Sequence, residues 1–273
     1  MSSADAAFTG SIPALYDRHL GPLLFEPYAE DLAERVRLEP ARSVLEIAAG
    51  TGIVTRALRD ALPSEVRIVA SDLNAAMLDY AAQRITRGDV TWRQADAMSL
   101  PFADHEFDVV VCQFGAMFFP DRVRAFREAR RVLAPGGRFV LNLWAAIEFN
   151  PVPDTVERAV AAAFPGDPPR FLSRTPYGHG DPAVTQAELR EAGFSTVAVA
   201  VVERSGHAAS AFDAAFGFCQ GSPLGGEIEA RNAGRLDEVT RAAAEAIAAR
   251  YGDGPFDAPT RAYVYVARKC VRP

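Results

Sequence analysis

Cysteine is scarce in this chain: Cys112, Cys219 and Cys270 lie far apart and are odd in number. That spacing excludes a disulfide framework or a thiolate cluster and fits reduced thiols. No uninterrupted apolar run is long enough to span a membrane. The first eight residues lack both the basic start and the apolar stretch of a signal peptide, so a cytoplasmic location is expected. Clustered cations are missing too. Net charge is −6 and the arginines are spread along the chain, which argues against nucleic acid as a standing partner. Internal repeats are absent as well. With 49% hydrophobic and 23% charged residues over 273 positions, one elaborated α/β domain is the natural reading.

What is present centres on residues 44–52. Val44-Leu45-Glu46-Ile47 reads as a short apolar strand, Ala48-Ala49-Gly50-Thr51-Gly52 as a glycine turn, and Ile53 as the start of an amphipathic helix. Glycine permits the crowded torsions of so abrupt a turn and lets a ligand lie on the main chain. The free N–H groups of the helix start point into the same crevice. A second strand with Val66, Ile68 and Val69 ends at Asp72, 20 residues after Gly52. A carboxylate so placed reaches a ribose diol and accepts from both hydroxyls. A third strand with Val90, Trp92 and Gln94 ends at Asp96. A glycine turn and two acids at three successive strand ends form a nucleoside site. A nicotinamide dinucleotide shares the turn and the first acid. Against it, Thr55 stands where the dinucleotide pattern requires a third Gly or Ala.

Glu46-x-Ala48-x-Gly50-x-Gly52, Asp72, Gln94-Ala95-Asp96-Ala97, Phe107-Asp108-Val109-Val110 and Arg131-Val132-Leu133-Ala134-Pro135-Gly136-Gly137 together resemble the class I S-adenosylmethionine-dependent methyltransferases. Within them, the likeness is to the branch of quinone-biosynthesis C-methyltransferases and other small-molecule enzymes. The motifs cover about a third of the chain. The resemblance implies a Rossmann-like, doubly wound seven-stranded sheet whose last strand inserts antiparallel. It also implies that the backbone from Ala48 through Gly50, Thr51 and Gly52 faces the methionine moiety of S-adenosyl-L-methionine. Asp72 would hold the ribose, and Leu73 and Met77 would lie against the adenine. Asp96 and the Ala97 N–H would read the adenine edge. Glu46 would orient the turn or reach the ammonium group through water. Ala48 departs from the glycine common there. The product would be S-adenosyl-L-homocysteine.

Organisation along the chain follows. Residues 1–42 carry lid helices, in which Tyr16 and Phe25 either touch the sulfonium region or pack a helix on the sheet. Pro13 and Pro22 fit first-turn positions. Residues 43–145 form the core, with strands near 43–48, 66–71, 89–94, 107–112 and 137–144 and helices near 53–62, 74–87 and 121–134. Asn74, Asp121 and Asp181 read as helix N-caps, and Pro135-Gly136-Gly137 as the stop of a helix. Residues 146–182 and 205–257 are read as insertions covering the substrate side, the second with one long helix from about Gly226 to Tyr251.

Methyl transfer from a sulfonium needs alignment and exclusion of water before it needs a dedicated catalytic group. Cys112-Gln113-Phe114-Gly115 ends the fourth strand, where open α/β sheets hold their ligands. Gln113 and Phe114 are therefore placed beside the cofactor. Phe118, Trp144 and Tyr177, with Phe25, are placed around an aromatic, quinone- or polyketide-like acceptor, although such aromatics also serve as core. Gln113 is a poor cation ligand, so no metal is expected. Of the histidines, His179 in the cover is the candidate general base, weighed against a loop-packing role. His105 is read as solvent-facing and His207 as lying in a loop. Asp5, Asp17 and Glu148 lack a distinctive setting. The alternatives are a methyltransferase-like binding or scaffold protein, or an NAD-dependent dehydrogenase. Acceptor identity, the atom methylated, and monomer versus homodimer stay open.

Overall fold

A computed structural model describes residues 12–86 and 90–271. The expectation for Asp5 lies outside the described residues. Seven strands build one sheet: β1 (Ser43–Ile47), β2 (Arg67–Asp72), β3 (Val90–Gln94), β4 (Phe107–Gln113), β5 (Leu133–Trp144), β6 (Thr196–Ala208) and β7 (Phe256–Arg268). Their spatial order is β3-β2-β1-β4-β5-β7-β6. Strands β1 to β5 pair in parallel, and β7 runs antiparallel between β5 and β6. The sheet is thus Rossmann-like and seven-stranded with its last strand inserted antiparallel. The order in which successive strands are laid down reverses between β1 and β4, which opens a crevice beyond their C-terminal ends.

The helices are α1 (Ile12–Leu15), α2 (Glu26–Arg37), α3 (Ile53–Ala61), α4 (Ala75–Arg84), α5 (Arg122–Val132), α6 (Pro151–Ala163), α7 (Phe171–Arg174), α8 (Pro182–Glu191), α9 (Ala211–Gln220), α10 (Leu224–Arg231) and α11 (Leu236–Tyr251). A π-helical segment, Tyr16–Phe25, joins α1 to α2. The central strands are covered on both faces, so they read as continuous apolar runs: Val44, Leu45, Val109, Val110 and Val111 are fully buried. Each such side chain contributes about 1.5–3 kcal/mol on burial. Helix α3 packs through Ile53, Val54 and Leu58, spaced on one face of the helix.

Several local expectations change. Pro135-Gly136-Gly137 does not end a helix. Helix α5 stops at Val132, and the three residues form an excursion within β5, whose pairing jumps from Phe107–Leu133 to Val109–Arg138. Gly136 turns the excursion with φ +79°. The single helix from 226 to 251 is two, α10 and α11, separated at 232–235, where Gly234 has φ +90°. Arg235 then fixes the start of α11 on α6: it donates to the Ala163 carbonyl at 3.0 Å and lies over the Phe164 ring. Pro22 sits within the π-helical segment, not in a first turn; there the Glu26 N–H reaches back to the Gly21 carbonyl. Asp121 and Asp181 cap α5 and α8 through the N–H groups of Arg124 and Ala183. Asn74 occupies the cap position of α4 without making a side-chain cap bond.

Candidate active site

The turn after β1 is a backbone structure. Ala48, Gly50 and Gly52 have φ of +55°, +56° and +81°. A Cβ on Gly52 would stand 2.6 Å from Ile85 Cδ1 and 3.3 Å from Trp92, so close helix packing demands glycine. A Cβ on Gly50 would meet nothing within 4 Å, because that side of the turn faces the open crevice. Left-handed torsion costs alanine about 1 kcal/mol. The Ala48 methyl fills the space beside Gly115, where any Cβ would collide with it. Thr51 is buried, and its Oγ1 has no hydrogen-bond partner among the described residues.

Asp72 locks this turn to the end of β2. Its Oδ2 accepts from the Gly50 N–H and its Oδ1 from the Asn74 N–H, both at 2.8 Å. Burial raises its pKa, and these N–H bonds pull the other way. Each carboxylate oxygen carries two lone pairs, so capacity for a ligand remains. Leu73 beside it is exposed, whereas Met77 is buried in α4. Asp96, at the end of β3, accepts from the Met98 N–H at 2.8 Å next to the buried Ala97. Glu46 is buried at the root of the turn, where its Oε2 accepts from the Thr55 hydroxyl at 2.6 Å. Burial pushes its pKa up to about 8, against the pull of Thr55. Glu46 therefore ties β1 to α3. The sequence marked Thr55 only as a departure from the dinucleotide pattern; its hydroxyl is a working part of the turn.

Strand β4 ends in a second strained turn. Phe114 has φ +47°, held by its N–H donating to Asn142 Oδ1 at 2.9 Å. Gln113 donates to the Phe25 carbonyl at 3.0 Å, so its amide anchors the N-terminal helical segment. The Phe114 ring stacks on Trp144 with centroids 3.7 Å apart, and Trp144 lies 5.7 Å from Tyr177. Tyr16 stacks on Phe25 at 4.6 Å. Burial and the nearby Asp72 charge both raise the Tyr16 pKa.

These aromatics line one partly open cavity of about 40 Å³. Tyr16, Leu20, Leu24 and Phe25 come from the N-terminal segment, and Phe114, Met117 and Phe118 from the end of β4 and the loop after it. Trp144 ends β5, while Phe171, Leu172, Pro176 and Tyr177 come from the stretch after α6. Phe218 and Ser222 close it from α9 and the residues just beyond. All four aromatics expected around an acceptor share this wall, with Tyr16 and Phe114. Leu20, Leu24, Met117, Phe171, Leu172 and Phe218 were not singled out from the sequence. Phe171-Leu172, an apolar pair within a Pro/Gly-rich stretch, was the available signal.

His179 is not part of that wall. It is half-buried, with burial and then Arg122 lowering its pKa and a backbone contact to Met117 opposing them. His19 pairs with Asp213 at 3.1 Å, tying the N-terminal segment to α9. His105 is exposed and touches the Leu133 carbonyl. His207 lies in β6, not a loop, paired with Asp257 at 2.8 Å. Among the described residues no group of three or more His, Cys, Asp or Glu could hold a metal ion. No described helix is long and apolar enough to cross a membrane.

Comparisons with known proteins agree with this geometry. Residues 45–141 match the methyltransferase domain family. The ubiquinone/menaquinone biosynthesis C-methyltransferase UbiE of Ectopseudomonas mendocina is 32% identical over 178 residues, covering 59% of this chain and 68% of that protein. The phosphoethanolamine N-methyltransferase 2 of Haemonchus contortus, solved with S-adenosyl-L-methionine, superposes with a TM-score of 0.61 at 15% identity, covering 99% of this chain and 60% of that one. The [4+2]-cyclase SpnF superposes at 0.55 with 19% identity, covering 96% of this chain and 94% of its own. At such identities the structural likenesses establish the fold alone. The sequence relative and the ordered motifs go further: the chain belongs to the class I S-adenosylmethionine-dependent methyltransferases, in the branch that includes the quinone-biosynthesis C-methyltransferases.

Proposed function

We propose that this enzyme methylates a small, largely apolar aromatic acceptor, quinone- or polyketide-like, held in the aromatic cavity beside the glycine turn. One observation carries the reading. The turn after β4 packs on the turn after β1, with Gly115 against the Ala48 methyl, so the nucleoside crevice and the cavity meet at Phe114. The residues of the turn fit the cofactor: open space beside Gly50 and an orphaned Thr51 hydroxyl suit a polar methionine moiety.

Bound S-adenosylmethionine supplies a methyl group already activated on a sulfonium. The chain's own residues bind, orient and exclude water. The backbone from Ala48 to Gly52 receives the methionine moiety, with Glu46 holding the turn through Thr55. Asp72 keeps its backbone bonds and accepts from the ribose hydroxyls. Leu73 and Met77 flank the adenine, whose edge meets Asp96 and the Ala97 N–H. Gln113 holds the segment bearing Tyr16 and Phe25 over the crevice, and Phe114 separates cofactor from acceptor. Residues 146–182 and 205–257 act as the cover, supplying Phe171, Tyr177 and Phe218 to the wall. His179 lies beside the cavity and not in its wall, so the reading assigns it no proton transfer.

Calorimetric titration with S-adenosylmethionine and S-adenosylhomocysteine, on the wild type and Asp72→Asn, tests the cofactor half. Asparagine keeps the side chain's shape and loses its charge, and charge-assisted bonds contribute about 1.5–3 kcal/mol each. Binding at least tenfold weaker in the variant is expected. Equal affinity in both proteins refutes the assignment of Asp72.

A further inference from the structure

The wall of the cavity is apolar except for three hydroxyl-bearing residues, Tyr16, Tyr177 and Ser222, and since Tyr16 is not without a partner, Tyr177 stands out. Tyr177 is 5% exposed, and its hydroxyl is buried with no hydrogen-bond partner among the described residues. Leaving a buried hydroxyl unpaired costs about 1–3 kcal/mol. Such exceptions in folded chains call for an explanation, and a ligand that completes the bond is one. The nearby Ser222 does not complete it. Its Oγ donates to the Phe218 carbonyl at 2.6 Å and accepts from the Leu224 N–H at 3.2 Å. Tyr28, packed edge-on against Trp144, has its hydroxyl engaged with the Val202 carbonyl and with Thr260. Burial holds the Tyr177 phenol well above its usual pKa, so it stays a neutral O–H.

Resting on the methyltransferase reading above, we propose that Tyr177 sets acceptor specificity. Its hydroxyl takes the single polar atom, a phenol oxygen or ring carbonyl, of an otherwise apolar aromatic acceptor packed beside the Phe114–Trp144 stack. One polar tether fixes which edge of the acceptor lies at Tyr177 and leaves the rest against apolar walls. A plain hydrocarbon leaves the hydroxyl bare. A polyhydroxylated compound buries groups that the walls do not satisfy. The cavity therefore selects for one hydrogen-bonding substituent, and discrimination by such a bond is sharper than discrimination by size.

Two isosteric probes test this: p-cresol and p-xylene, titrated calorimetrically into wild type and Tyr177→Phe, each saturated with S-adenosylhomocysteine. In the variant, p-cresol's affinity relative to p-xylene's is expected to fall about fivefold, the value of one hydrogen bond. Thermal unfolding without probe is expected to show Tyr177→Phe at least as stable as wild type, because the hydroxyl has no bond to lose. An unchanged p-cresol to p-xylene ratio overturns the proposal. So does a variant that is clearly less stable, since the hydroxyl would then have a structural partner. Failure of S-adenosylhomocysteine to bind overturns the cofactor reading alone. The ratio, measured without cofactor, still decides the role of Tyr177.

Discussion

Around the glycine turn, the surface proposed to face the ligand is main chain: positive φ at Ala48, Gly50 and Gly52, with the Gly50 N–H fixed by Asp72. Around the aromatic cavity it is side chain, gathered from the N-terminal segment, the β4 and β5 ends and the stretches 171–177 and 218–222. The first kind of site tolerates few substitutions, because torsions and close approaches offer no alternative. The second changes its contents by exchanging one ring for another while the sheet stays fixed. This difference explains how a family keeps one cofactor while its acceptors vary.

Glu46 gives the largest expected effect and sharpens that contrast, being a side chain on which the backbone site depends. Its folded pKa is pushed up to about 8 from a usual 4.5. A raised carboxyl pKa means stability fully present below the unfolded value and lost as pH rises through the folded one. Between those values the native state binds the extra proton, so stability falls by about 1.4 kcal/mol per pH unit. Denaturant unfolding at pH 5 and pH 8 checks this. Glu46→Gln, which cannot ionise, is expected to flatten the fall, and a variant with the wild-type slope would place its cause elsewhere.

Gly115 comes next, because it joins the two regions. A methyl there meets the Ala48 methyl and comes within 3.0 Å of Cys112 Sγ. Gly115→Ala is expected to cost about 2 kcal/mol by overpacking. Ala48→Gly removes part of the clash and relieves a left-handed alanine. The double variant should therefore recover at least half of the loss, measured by urea unfolding in a double-mutant cycle. Strict additivity would mean that the two turns do not press on each other.

Trp144 tests whether the two regions are separable. Trp144→Leu removes the ring stacked on Phe114 but touches no torsion of the glycine turn. Affinity for p-cresol is expected to fall about tenfold from lost stacking and burial. S-adenosylhomocysteine affinity should stay within about twofold. A large loss of both would merge the two regions into one.

The same contrast governs what could be read from the sequence. The turn, the carboxylates Asp72 and Asp96 after successive strands, and the alternation of strand with helix were legible because glycine spacing and apolar runs are local signals, whereas the antiparallel last strand came from the family resemblance. Phe25, Phe118, Trp144 and Tyr177 were legible as candidates because each lies at a strand end or in a covering segment. Leu20, Phe171 and Phe218 were not, since only tertiary packing brings three remote segments to one wall. Pro135-Gly136-Gly137 misled because proline and glycine also punctuate a strand excursion, and residues 226–251 because one turn at Gly234 interrupts an otherwise helical pattern. Thr55 was noticed for the residue it was not, and its bond to Glu46 exists only once the turn has folded.

Leu73 carries the smallest effect and asks most of the contrast. It follows Asp72, is 54% exposed, and its carbonyl accepts from the Gln94 amide at 2.9 Å. Nothing in the fold needs its side chain, so Leu73→Ala is expected to leave stability within about 0.5 kcal/mol. If it covers one face of an adenine, the variant loses apolar contact worth about 1 kcal/mol, or about fivefold in S-adenosylhomocysteine affinity. Calorimetry resolves that difference. A drop in affinity at constant stability would show that even the backbone-built region finishes its ligand surface with a side chain spared from packing. No drop would leave Asp72, Asp96, Met77 and the main chain as the whole of the nucleoside grip.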